Sequence, residues 1–242
     1  MSQIKSTRVA KVIADAGYCS RRQAELLIAE GRVQVNGKII NTPATLISDQ
    51  SIKIDNKLIN PKQEVAMWIF NKPAGYLTTN SDPKNRKTIF DILPLDLPRV
   101  ISVGRLDYNS EGLLLLTTSG DLARHIELPK TGWIRKYRVR VHGKINQARL
   151  QNLVNGITVD GVRYKFSEVF IEPNSGANTW LRISLKEGKN REIRKVMESL
   201  GLQVNRLIRV SYGSFNLGNL KRGQILPISK KQLKNFIPKD LL

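Results

Sequence analysis

Gly104-Arg105-Leu106-Asp107-Tyr108-Asn109-Ser110-Glu111-Gly112-Leu113-Leu114-Leu115-Leu116-Thr117 is the stretch on which the fold reading turns. Leu113 to Leu116 is a compact apolar run, short enough to predict an interior strand. Before it comes a charged segment. If that segment is extended, Arg105 and Asp107 point the same way, because successive side chains of a strand alternate. Two charged groups beside an apolar strand suggest the edge of a cleft. By itself Asp107 reads more simply as a loop aspartate bonded to its own backbone.

Working outward, Trp68-Ile69-Phe70 reads as a buried strand, followed by a turn at Lys72-Pro73-Ala74-Gly75. Thr88 to Leu93 is a short element of ambiguous type. Tyr137-Arg138-Val139-Arg140-Val141 and Trp180 to Leu185 alternate as strands do. After Asn190, a plausible N-cap, Ile193, Val196, Met197 and Leu200 form the stripe of a helix that Gly201 closes. Strands and helices mix without a βαβ rhythm, which predicts an α+β fold with a largely antiparallel sheet.

The N-terminal residues have a different texture. Thr7 to Ala16 reads as a helix capped by Gly17, and a second helix starts at Ser20, where Ser20 and Gln23 have capping-box spacing. Val33-Gln34-Val35-Asn36-Gly37-Lys38-Ile39 is a hairpin signal, since both turn residues tolerate positive φ. Ile52 to Ile59 looks like a second hairpin. The polar stretch Asn60-Pro61-Lys62-Gln63 marks a boundary. The expected organisation is residues 1–60, a linker at 61–66, and a larger domain at 67–242. Arg8, Lys11, Arg21, Arg22, Arg32 and Lys38 lie on or beside the helices and hairpin. They form either a solvated charge face or a phosphate-binding one.

Composition bounds the partners. The 242 residues hold 40 Lys and Arg against 20 Asp and Glu, a formal net charge of +20. A polyanion is the natural partner, and charge spread through folded elements favours nucleic acid over a membrane surface. No apolar run is long enough to span a bilayer and no leader pattern opens the chain, so a soluble, cytoplasmic protein is expected. One cysteine and two histidines leave no internal disulfide and make a metal site unexpected.

Two resemblances sharpen this. Arg8-Val9-Ala10-Lys11, Gly17 to Glu25 and Gly31 to Gly37 resemble the S4 RNA-binding module, a small unit of two helices and a hairpin. Gly-Arg-Leu-Asp at 104–107, followed by Glu-Gly-Leu-Leu-Leu-Leu-Thr at 111–117, resembles the signature of RNA pseudouridine synthases. The likeness is to the RsuA-type branch, which joins an S4 module to a catalytic domain. Lys72 to Gly75, Arg86 to Pro94, Arg135 to Val139, Glu187 to Val196 and Arg206 to Gly213 resemble the family's other segments in order. Asn190-Arg191-Glu192-Ile193-Arg194 is worded like the branch acting on large-subunit (23S) ribosomal RNA. Ser110 departs from the family's usual threonine but keeps the hydroxyl.

The resemblance implies an isomerase that needs no cofactor or metal. It breaks the N1–C1′ bond of a uridine, turns the base and joins C5 to C1′. It implies Asp107 as nucleophile or base at the sugar, Tyr137 stacked on the flipped base, and Arg194 paired with Asp107. Arg105 would fill the gap left by the base. Flipping costs a few kcal/mol and is cheapest in loops, so a hairpin or bulge of ribosomal RNA, alone or in a pre-ribosomal particle, is the expected partner. Lys72, Lys189, Arg191 and Lys195 are expected to line a basic cleft, and the protein is expected to be a monomer. Two other readings remain: a non-catalytic ribosome-assembly factor on the same scaffold, and a hydrolase with Glu111 as a second carboxylate beside Asp107.

Overall fold

A computed structural model describes residues 6–59, 63–173 and 178–242. Part of the expected linker, residues 60–62, lies outside the described residues. Contacts divide the chain into two compact units. One holds the residues through Ala66 together with Asp96–Ile101 and Thr117–Gly120; the other holds the rest.

The first unit begins with β1 (Thr7–Arg8), α1 (Val9–Asp15) and α2 (Arg21–Ala29). The helix expected from Thr7 starts at Val9, because Thr7 and Arg8 pair with Ile47 and Leu46 of β4 (Leu46–Ile47). That pairing supplies backbone partners that a helical turn would otherwise have to provide. Ser20 and Gln23 form the expected capping box, each side chain accepting the other's backbone N–H. Strands β2 (Val33–Val35) and β3 (Lys38–Ile39) flank a turn in which Asn36 and Gly37 have φ of 47° and 78°. With β5 (Ile52–Ile54) and β6 (Lys57–Leu58) they make a four-stranded antiparallel sheet, ordered β3-β2-β5-β6. Val9, Ile13, Ala24, Ile28, Val33, Ile52 and Ile54 close this unit's own core.

In order, the remaining elements are β7 (Met67–Lys72), β8 (Ile101–Val103), β9 (Ser110–Thr117), α3 (Gly120–Glu127), β10 (Arg135–His142), α4 (Gln147–Gln151), β11 (Ile157–Val159), β12 (Val162–Tyr164), β13 (Glu168–Ile171), β14 (Asn178–Leu185), α5 (Glu192–Ser199), β15 (Gln203–Tyr212), β16 (Phe215–Asn216), β17 (Ile225–Pro227) and α6 (Lys230–Phe236). A nine-stranded sheet follows the path β13-β14-β10-β15-β9-β7-β17, with β16 on β15 and β8 on β9. The pairs β13–β14, β14–β10, β10–β15 and β7–β17 are antiparallel, whereas β9 and β15 run parallel.

Every residue of β9 is buried, as its apolar run demanded. Burying one leucine fully is worth about 1.5–3 kcal/mol, so four in succession anchor the centre of the sheet. Gly112 makes the parallel pairing possible. Its φ is +99°, and a Cβ there would lie 2.3 Å from the Arg209 carbonyl oxygen. Among the described residues no helix is long and apolar enough to cross a membrane.

Candidate active site

One face of the large sheet floors a cleft of about 960 Å³. Ser110 of β9, Leu207 and Arg209 of β15, and Arg135 and Tyr137 of β10 reach it from the strands. The loop carrying Gly104 to Tyr108 forms one wall, and Gly188 to Ile193, leading into α5, forms another.

Asp107 sits in the loop between β8 and β9, in which Leu106 is buried, while Arg105 and Asp107 are more exposed; all three line the cleft. The backbone here is held tightly. Thr78 Oγ1 donates to Leu106 O at 2.8 Å, Gly75 N donates to Tyr108 O at 2.8 Å, and Ser110 N donates to Asp107 O at 3.0 Å. Beneath the loop lies Lys72, fully buried. Its ammonium donates to Ser110 O at 2.9 Å, Pro73 O at 3.0 Å, Asp107 O at 3.2 Å and Tyr108 O at 3.4 Å. Burial pushes the Lys72 pKa down to about 8, against the carboxylates of Asp107 and Glu111, which hold it up. Lys72 was expected on the cleft wall. It is instead a cationic pin, because a buried ammonium is tolerated only where acceptors surround it.

Tyr137 is buried on β10, where a bulge between Lys136 and Tyr137 sets it opposite Arg209 of β15. Arg194 is half-buried on α5. Its Nη1 donates to Val204 O at 3.1 Å and its Nη2 to Asn109 O at 3.2 Å. The expected pair with the Asp107 carboxylate is therefore not formed. Arg194 holds the backbone of the Asp107 loop two residues further on. Burial lowers its pKa, the neighbouring Arg191 lowers it further, and the charge of Asp107 raises it.

The turn into α5 also differs from expectation. Arg191, not Asn190, occupies the N-cap position, with a left-handed φ of 51° and no side-chain cap. Glu192, the first residue of α5, instead ties down the preceding turn, its Oε2 accepting Lys189 N at 3.0 Å. Its other oxygen, Oε1, is buried without a partner among the described residues. Burial raises the Glu192 carboxyl to about 7.

Of the basic residues expected in the cleft, Arg105, Lys189 and Arg191 line it, whereas Lys72 and Lys195 do not. Lys189 is tied to Glu187 Oε1 at 2.7 Å and Arg163 O at 2.6 Å. Sequence reasoning missed Arg135, Arg209 and Tyr212 as a group. Arg135 donates to Lys186 O at 2.7 Å, Glu127 O at 3.1 Å and the Tyr212 hydroxyl at 2.7 Å, and Arg209 Nε donates to Leu113 O at 2.7 Å. Strand alternation from Tyr137 was the available signal for Arg135.

Glu111 points elsewhere. Arg206 grips it at 2.8 and 3.1 Å, and Arg222 approaches to 3.1 Å. This occupied carboxylate is absent from the cleft lining, which removes the two-carboxylate hydrolase reading.

In the first unit, Arg8, Arg21, Arg22 and Lys38 are exposed. Arg32 makes a two-point contact with Asp55 at 2.8 and 2.7 Å and reaches Glu30 at 3.1 Å. Lys11 pairs with Asp15 at 2.8 Å.

A small helix-and-hairpin unit, a mixed sheet and a cleft into which the loop of Asp107 is held by a buried lysine are the arrangement on which the family assignment stands. The chain belongs to the RNA pseudouridylate synthase family, whose description matches residues 66–199, and an S4 domain matches residues 7–48. It is an isomerase that converts uridine in RNA to pseudouridine. It is similar to an uncharacterized RNA pseudouridine synthase of Rickettsia typhi, 48% identical over 97% of this chain and 96% of that protein. It is also similar to the ribosomal large subunit pseudouridine synthase B of Pasteurella multocida, 41% identical over 91% of this chain and 66% of that one. Among solved structures, a pseudouridylate synthase crystal structure matches with a TM-score of 0.66 and 26% identity, covering 96% of this chain and 100% of that one.

Proposed function

We propose that this enzyme acts on a uridine in large-subunit (23S) ribosomal RNA, with Asp107 as the catalytic residue. One observation carries the assignment: Asp107 reaches the cleft from a loop whose backbone is clamped by Lys72 and Arg194, so its position is fixed before substrate arrives. Preorganisation of this kind is what places a reacting group within attack distance.

Asp107 acts at the sugar of the flipped uridine, as nucleophile or as general base, as the N1–C1′ bond breaks. The base turns within the cleft and C5 joins C1′. The proton lost from C5 is balanced by the one gained at N1, so no atom leaves. Tyr137, buried on the cleft floor, stacks on the base and holds it during the turn. Arg194 acts as a positioning residue through Asn109 O. Arg105, exposed on the same loop, enters the RNA stack. The exposed basic residues of the S4 module, Arg8, Arg21, Arg22 and Lys38, supply phosphate contacts. We further assign residues 1–60 to that module, 61–66 to a linker and 67–242 to catalysis, in a cytoplasmic monomer. The large-subunit assignment is supported by the name of the Pasteurella relative and by the Asn-Arg-Glu-Ile-Arg wording at 190–194.

Pseudouridine mapping of 23S RNA from cells lacking the protein, complemented by wild type or by Asp107→Asn, tests this. One site should vanish and return only with wild type. If Asp107→Asn restores it, catalysis through Asp107 is wrong. If no 23S site changes, the large-subunit assignment falls, and the same mapping on other RNAs locates the substrate.

A further inference from the structure

The cleft uses one face of the large sheet; on the opposite face Phe170, Arg182 and Arg138 are exposed. There β13, β14, β10 and β15 bring Phe170, Arg182, Arg138 and Ile208 into one cross-strand row, since Phe170 pairs with Arg182, Arg182 with Arg138, and Arg138 with Ile208. A second row holds Trp180, Arg140 and Arg206. At a strand spacing of about 4.8 Å, the first row is about 14 Å across.

Arginine and ring alternate across it. The Arg138 guanidinium lies 4.3 Å from the Trp180 ring centre, and that of Arg182 lies 4.4 Å from Phe170. Phe170 is 45% exposed, and the Arg138 and Arg182 side chains are 45% and 61% exposed. The carboxylates are too few for the cations. Glu172 is shared by Arg138 at 2.8 Å and Arg182 at 3.6 Å, and Glu111 is shared by Arg206 and Arg222. Arg140 has no carboxylate partner among the described residues, and its Nε is buried without a hydrogen bond.

A solvated, ion-paired face is what a strand exposing charge to water ordinarily gives. It does not call for an exposed aromatic ring, for guanidinium planes laid over rings, or for a surplus of positive charge, to which the exposed Lys136 adds. Those features suit a polyanion with flat bases. Bases stack on rings and on guanidinium planes, and the free edges of the guanidinium grip phosphates two at a time. Acidic polypeptide would satisfy the charge but not the rings.

We propose that this open sheet face is a second RNA-binding surface, which takes an unpaired segment of the substrate RNA by stacking on Phe170 and Trp180 while Arg138, Arg140 and Arg182 hold its phosphates. The proposal rests on the ribosomal RNA substrate assigned above and gives that RNA a second point of attachment remote from the modified uridine. A short hairpin fills the cleft alone, whereas a long transcript reaches both faces.

The test compares wild type with Arg138→Gln/Arg140→Gln/Arg182→Gln on two probes, a full 23S transcript and a short hairpin bearing the target uridine. The variant should bind the transcript about tenfold or more weakly, and its salt dependence should flatten by the loss of about two to three phosphate contacts. Hairpin modification should stay within about twofold. If the triple variant melts early, Arg182→Glu, at the most exposed of the three positions, serves in its place. Unchanged transcript affinity and salt slope in a folded variant overturn the proposal. So does unchanged RNA binding with lost binding of polyglutamate, which would assign the face to an acidic protein. Because binding is read separately from modification, a wild type that binds the transcript through this face without modifying it would refute the substrate assignment and leave the surface standing.

Discussion

Arg135 and Arg138 are three residues apart on one strand and live in different physical worlds. Arg135 faces the cleft side, is buried, and spends its N–H groups on the Lys186, Glu127 and Trp133 carbonyls and the Tyr212 hydroxyl. Arg138 faces outward, half-exposed, against a ring and a shared carboxylate. On the cleft side arginine is mortar, its charge spread over neutral acceptors of the backbone. On the outer side the charge stays available to a partner. Pleat alternation separates the two uses, and β10 carries both.

The comparison breaks first at Arg135. Arg135→Met removes the donor from three carbonyls, each worth about 1–3 kcal/mol when orphaned, while the Tyr212 hydroxyl keeps its bond to Ile126 O. We expect a loss of about 3 kcal/mol or more in urea unfolding. A loss below about 1 kcal/mol would mean that water replaces the guanidinium and that the cleft side is not dry.

A smaller, pH-dependent effect is expected at Glu192. Its folded pKa of about 7 lies above the about 4.3 of a carboxyl in an unfolded chain. The native state holds this proton more tightly, so the ionised form costs stability that appears as pH rises above about 4.3 and is complete above about 7. Glu192→Gln should therefore be about 1–2 kcal/mol more stable than wild type at pH 8 and equal to it at pH 4. Thermal melts at the two values decide. An equal gain at both would assign the effect to packing rather than charge.

The smallest effect is at Arg138. Arg138→Met should change stability by no more than about 0.5 kcal/mol, as for an exposed ion pair. A loss approaching that of Arg135→Met would erase the distinction between the two faces.

Where a signal is local, it was legible. The Ser20–Gln23 capping box, the Asn36–Gly37 turn and the buried run Leu113 to Leu116 depend on neighbours within a few residues, and each formed as read. What escaped depended on distant partners. Nothing near Lys72 announces burial, because the carbonyls that accept from it lie up to 38 residues ahead. A lysine in a chain this basic reads as surface. Thr7 and Arg8 read as helix because their strand partner comes some forty residues later. Arg194 was matched to Asp107 by motif alone, and the Asn109 carbonyl that it meets could not be inferred from residue types. The left-handed turn at Arg191 followed the same pattern, since Asn190 was the better cap by residue type and nothing in the residue types announced the bond between Glu192 and Lys189 N.

The parallel seam between β9 and β15 also has a consequence in time. Arg209 bonds to Leu113 across 96 residues of chain, and Gly112 fits only against the backbone of Arg209. During synthesis the N-terminal module has its whole core in hand early, while Asp107 waits for half of its domain to be made. A chain that stops before β15 holds every core residue of the small unit but lacks the strand that floors the cleft at Asp107. Contacts between residues so distant in sequence also form slowly. The small unit can therefore close its core long before the strand that completes the cleft floor has been made.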